Sequence, residues 1–138
     1  MTSILVQAMQ QEMEASAEKM ASELQASSRI ALYGINFATN SATLTADSEK
    51  ALTEIVTLLT AQPEWKITVE GHTDDAGAKA ANQTLSLKRA NSVVAWLVSH
   101  GIPEAHLSAA GFGDSKPIDS NTTDEGKAKN RRVELVKR

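Results

Sequence analysis

The chain contains no cysteine, which excludes a disulfide framework and any thiolate metal site and leaves the compartment open. It has no apolar run near the roughly 18 residues needed to span a bilayer, and its N-terminus lacks the basic stretch and apolar core of a signal peptide. A mature domain, or a fragment whose targeting segment lies outside it, is the expectation. A cation excess is also missing. With a formal net charge of -3, nothing marks a surface that gathers phosphates, so nucleic acid is not an expected partner. Catalytic and cofactor signatures are equally sparse. No serine sits in a GxSxG elbow, Lys88 follows Ser86 too early for an SxxK pair, and GFGDSKP fits neither GxGxxG nor GxxxxGK[ST]. His72 stands beside Asp74 and Asp75, but His100 and His106 are a whole helix away and no HExxH spacing occurs, so no metal or cofactor is expected.

What is present reads as one domain with a distinct lead-in, since 138 residues at 41% hydrophobic bury one core and hardly two. Residues 1–28 hold no Gly or Pro, and Leu5, Met9, Met13, Ala17, Met20 and Leu24 recur at steps of three and four, predicting a helix. It reads as a linker or lead-in helix. The other reading is a short coiled coil making a homodimer, for which the Met- and Ala-rich stripe is too short to give three good heptads.

From residue 29 the pattern changes to alternating strands and helices. Ile30 to Phe37 predicts a strand, with Tyr33, Ile35 and Phe37 on one face. Thr45 is a candidate helix cap ahead of the i, i+3, i+4, i+7 set Leu52, Ile55, Val56 and Leu59, which Pro63 ends. Trp65, Ile67 and Val69 alternate with Lys66, Thr68 and Glu70 in a half-buried strand that Gly71 breaks. A longer helix from Lys79 carries Leu87, Ala90, Val94, Leu97 and Val98 inward and stops at His100-Gly101. Leu107 to Gly113 is a strand, 113–126 a loop, and Arg132 to Val136 a closing strand. The fold class is α+β, an α/β sandwich of βαβαββ order: about four strands in a mixed sheet, two helices on one face bridging parallel pairs, and the N-terminal helix.

One stretch joins strand end, acidic loop and helix start: VEGHTDDAGAKAANQTLSLKRANS, from Val69 to Ser92. Helical residues advance by about 100°, so Asn82 and Arg89 fall nearly on one line, with Ser86 beside them, flanking the buried stripe. Asp74 lies just past the strand end, where sites in such sheets collect. Asp74 and Arg89 can therefore face one small volume, either as a binding site or as a surface ion pair that orients the loop.

These residues carry a resemblance. INFATNSATL, VEGHTDDAG, NQTLSLKRANSVVAWLVSHGI, LSAAGFGDSKPI and NRRVELV occur in the order and spacing of OmpA-like C-terminal domains. The resemblance covers Ile30 to Arg138, and residues 29–138 are taken as the domain. The same module occurs in peptidoglycan-associated lipoproteins and MotB-like stator proteins. It implies noncovalent binding of the diaminopimelate in the peptidoglycan stem peptide, with the acid of the TDxxG stretch falling on Asp74 and the arginine of the LSxxRA stretch on Arg89. Asn82 lies nearby. By the same resemblance Phe37 forms a pocket wall, Thr73 and Gly77 shape the acidic loop, and Asn130 with Arg131 or Arg132 serves either the ligand or the bracing of the last strand. Several members carry Asp where this chain has Ala38, and Asn36 or Asn40 is the expected substitute for a contact from that position. The implied function is a noncatalytic wall anchor in the periplasm, joining its parent protein or the outer membrane to the cell wall, with membrane contact only through parts outside this chain.

Overall fold

The computed structural model describes residues 17–38 and 41–138. A helix over residues 17–27 (α1) leads to β1 (Arg29–Leu32), then α2 (Glu49–Ala61), β2 (Ile67–His72), α3 (Lys79–Ser99), β3 (Leu107–Gly113), α4 (Asp124–Asn130) and β4 (Arg132–Lys137). The four strands form one mixed sheet in the order β1-β4-β2-β3. Only β2 and β3 pair in parallel, through the α3 crossover. The parallel pairing expected between β1 and β2 does not form, because β4 runs between them and pairs antiparallel with both.

One apolar cluster holds the layers together. Ile67, Val69, Val133 and Leu135 from the central strands meet Leu52, Ile55 and Leu58 of α2 and Ala90, Val93 and Leu97 of α3. Ala17, Met20 and Leu24 of α1 enter the same cluster, so the described part of the lead-in packs on the domain. Leu5, Met9 and Met13 lie outside the described residues. At about 25 cal/mol per Å² of apolar surface, each fully buried Leu or Ile here contributes about 1.5–3 kcal/mol.

Several local expectations are corrected. β1 stops at Leu32, three residues into the predicted Ile30–Phe37 strand. Beyond it the backbone of Asn36 turns to Ser48, whose hydroxyl accepts from Asn36 N (2.6 Å) and donates to Asn36 O (2.9 Å). Those bonds replace a ladder, so Tyr33 is exposed and Phe37 makes only an isolated bridge with Leu44. Thr45 caps no helix N–H; its hydroxyl binds Asn36 O and Asp47 ahead of a short 3₁₀ turn. The predicted 113–126 loop contains the start of α4, which Thr123 caps by accepting from Gly126 N at 3.0 Å.

Gly71 does not break β2; it lies inside it because α3 presses against it. A Cβ at Gly71 would stand 2.1 Å from Ser86 O, and one at Gly111 of β3 would stand 2.5 Å from Leu87 N. Strand glycines at a close backbone approach are the expected device. The buried face of α3 therefore runs Asn82, Ser86, Ala90, Val93 and Leu97, and Leu87, predicted inward, is 40% exposed. Ala90 and Leu97 are buried and Val94 and Val98 pack against the core as expected; Leu87 alone is misplaced, because polar Asn82 and Ser86 start the buried stripe where hydrophobic periodicity looks for an apolar residue.

Candidate functional site

β2 ends at His72 and the chain turns through Thr73 to Ala78 before α3 begins. Thr73 N donates to Gly113 O (2.8 Å), tying the loop to the end of β3, and its hydroxyl donates to Asp74 O (2.7 Å). Asn82, buried in the first turn of α3, donates to Ala76 O at 2.9 Å. Gly77 takes φ +85, a left-handed conformation that suits glycine, and completes the turn. Loop and helix thus present Asp74 in a fixed pose, with Oδ1 accepting from Ala76 N at 3.0 Å.

Asp74 and Arg89 line one cavity of about 690 Å³, together with Asn36, Phe37, Thr73, Asn82 and Arg131. They do not pair with each other. Arg131 Nη1 donates to Asp74 Oδ2 at 2.6 Å, while Arg89 Nε donates to Ser41 O at 2.9 Å and its guanidinium lies 4.9 Å from the centre of the Phe37 ring. Among the described residues no carboxylate is within ion-pair distance of Arg89. Burial pushes the Arg89 guanidinium below its ordinary value, and the charge of Asp74 pulls it back. Phe37 supplies a wall in cation–π contact. Ala38 is exposed and lines no part of the cavity; Asn36 does line it, and Asn40 lies outside the described residues.

Asn130 stands apart from this volume. Its amide oxygen accepts from Ile118 N (2.7 Å) and Asp119 N (3.0 Å), and its nitrogen donates to Asp119 O and Asn121 Oδ1. Those four bonds organise the loop ahead of α4 and leave nothing for a ligand. The side chain is fully buried.

A second charged group escaped the sequence reading. Glu70, predicted on the polar face of its strand, is only 6% exposed and lies beside Glu134 of β4. Arg29 Nη1 donates to Glu70 Oε1 and Glu134 Oε1, each at 2.7 Å, and Arg132 Nε donates to Glu134 Oε2. His72 Nε2 is 3.1 Å from Glu70 Oε1, and its ring stacks on Phe112. Burial, then the nearby Arg132 charge, hold His72 below its ordinary value, so the ring is neutral near pH 7. Burial pushes Glu134 up, but hydrogen bonds from Arg29 and Arg132 outweigh it and hold the carboxyl below the ordinary range. Glu70, His72 and Glu134 are the one set among the described residues with three ligand atoms close enough for a metal. Two guanidiniums already balance the two carboxylates there, so a cation would have to displace Arg29 or Arg132. A signal existed in the sequence: Glu70 and Glu134 occupy central positions of strands whose neighbours are buried. Their shared partner Arg29, however, lies 41 and 105 residues away from them.

The family model described as OmpA family matches residues 36–131. The chain is 39% identical over 102 residues to the peptidoglycan-binding protein ArfA of Mycobacterium tuberculosis, a match covering 74% of this chain and 31% of that one. It therefore spans about a third of that relative. Among solved structures, a putative MotB-like protein from Desulfovibrio vulgaris superposes with TM-score 0.71 at 25% identity, covering 96% of this chain and 94% of the other. The peptidoglycan-associated lipoprotein from Burkholderia pseudomallei gives TM-score 0.67 at 26% identity, covering 82% and 92%. The α+β sandwich is the fold of these neighbours. No described helix is long and apolar enough to cross a membrane.

Proposed function

The chain belongs to the OmpA family, and from that premise we propose that residues 29–138 bind peptidoglycan noncovalently, gripping the diaminopimelate of the stem peptide and anchoring the parent protein to the wall from the periplasm. The observation that carries this reading is Arg89: a half-buried guanidinium, held by Ser41 and Phe37, that lines the cavity with Asp74 yet is ion-paired to no carboxylate among the described residues. Desolvating a cation without an acid partner is costly unless a ligand supplies one. The free end of diaminopimelate is a zwitterion. Its carboxylate meets the planar fork of Arg89 in charge-assisted hydrogen bonds, and its ammonium meets Asp74. Asn82, Thr73 and Gly77 position the acid, and Phe37 walls the arginine side. No covalent step is needed, so the module is noncatalytic.

Modest affinity at one site is adequate because the wall repeats the same peptide, and linked copies gain avidity. Retention on purified murein sacculi, with Asp74→Asn as the comparison, tests the reading. The native chain is expected to sediment with the sacculi and the variant to stay in solution; equal retention of the two overturns it.

A further inference from the structure

Asp74 already has a cation on it. Its Oδ1 is committed to the backbone of Ala76 at 3.0 Å, and its Oδ2, the oxygen left for an incoming ammonium, carries Arg131 Nη1 at 2.6 Å. Arg131 is otherwise loosely held, with its side chain 51% exposed. Its backbone, by contrast, is pinned. Arg131 N donates to Lys127 O at 3.1 Å, Asn130 before it makes four hydrogen bonds, and Arg132 after it opens β4. The guanidinium therefore leaves Asp74 by side-chain rotation about a backbone held beside the cavity, which leaves the rim within its reach.

The charge balance points the same way. Asp74, Arg89, Arg131 and Arg132 are the charged side chains lining the cavity, and Arg132 is bonded to Glu134 outside the group. One acid against two bases leaves a surplus positive charge. A simple zwitterion does not change that surplus, whereas a ligand with one ammonium and two carboxylates cancels it.

We infer that Arg131 is the resident partner of Asp74 which a ligand ammonium replaces, and that the released guanidinium selects ligands carrying a second carboxylate beside the zwitterion. The inference rests on the diaminopimelate reading and adds a specificity element to it. Arg131 acts twice, as a competitor that a lone ammonium must displace and as the receptor that compensates a doubly acidic ligand for that displacement.

The test is calorimetric titration of the full chain with two diaminopimelate peptides whose C-terminal carboxyl is amidated, leaving only the zwitterionic end of the diaminopimelate free, and identical except that the neighbouring residue carries a free carboxylate in one and an amide in the other. The native chain is expected to favour the free acid about fivefold, the scale of a half-exposed ion pair. Arg131→Ala and Arg131→Gln should each lose that preference and hold the amide peptide at least as tightly as the native chain does. A preference that persists in both variants, its absence from the native chain, or an equal fall for both peptides in the variants overturns the inference while leaving the binding site standing. If the native chain binds neither peptide, the diaminopimelate reading itself fails and takes the inference with it.

Discussion

The buried network of Arg29, Glu70, Glu134 and Arg132 and the cavity group of Asp74, Arg89 and Arg131 use the same residue types but differ in count and in solvent. The network sets two carboxylates against two guanidiniums, with three of the four side chains almost wholly buried. The cavity group sets one carboxylate against two guanidiniums, and one of those stands half in water. A balanced cluster has satisfied itself and contributes to the fold; an unbalanced one keeps a demand that only something outside the chain can meet. Stability should therefore reside in the first and recognition in the second.

The largest expected effect breaks that division from the buried side. Glu134→Gln leaves Arg29 with Glu70 and removes the acid that Arg132 pairs with, and truncating a buried pair costs about 3–5 kcal/mol. Urea denaturation should show a loss near the lower figure, since Arg29 is partly exposed, while the molecules that remain folded retain sacculus binding. Loss of binding without loss of stability would erase the distinction.

Next in size is the cavity side. Arg89→Ala should weaken binding of a diaminopimelate peptide by about 2 kcal/mol, the range of a charged hydrogen-bonding partner. Arg89→Lys should weaken it nearly as much, because one donor at a time cannot replace the fork. Melting temperatures of both variants should move little, since Arg89 holds no acid in place and opens no core cavity. Near-native binding by the Lys variant would mean that charge alone is read. A lysine-type stem peptide, which lacks the carboxylate that Arg89 takes, should lose a comparable amount, and calorimetry of the two peptides checks it.

The smallest effect sharpens the comparison through pH. His72 has its folded value depressed, so the unfolded chain takes up a proton near 6.5 that the folded chain resists, and stability should begin to fall as pH drops below that value. Glu134, also depressed when folded, contributes stability that is present above its ordinary 4.5 and is lost as pH falls further. Two shallow stages are expected in midpoint against pH. His72→Gln should remove the upper one; its survival would assign the upper stage to another group.

Much of the frame was readable in advance because β2, α2, β3 and β4 are set by local periodicity, which needs no knowledge of partners. Asp74 and Arg89 could be brought to one volume for the same reason: strand end, loop and helix are contiguous. Arg131 matched a motif, yet its role as the acid's partner was hidden, since it lies 57 residues from Asp74. Glu70 misled for a related cause. Its place in the alternation marks it as polar-facing, and only residues on two other strands turn that face into a buried one.

The position of β4 has a consequence for the order in which the molecule is completed. It follows the other three strands in sequence yet lies between β1 and β2 in the sheet. Until residues 132–137 arrive, β1 has no neighbour to pair with, and the contacts that β4 closes span up to 107 residues, from Arg29 to Val136. Closing such distant loops is slow and comes late. A chain emerging from a ribosome or crossing a membrane N-terminus first consequently holds its helices and the β2–α3–β3 unit before it holds a recognition site. Arg131 reaches Asp74 in the same step that seats the central strand.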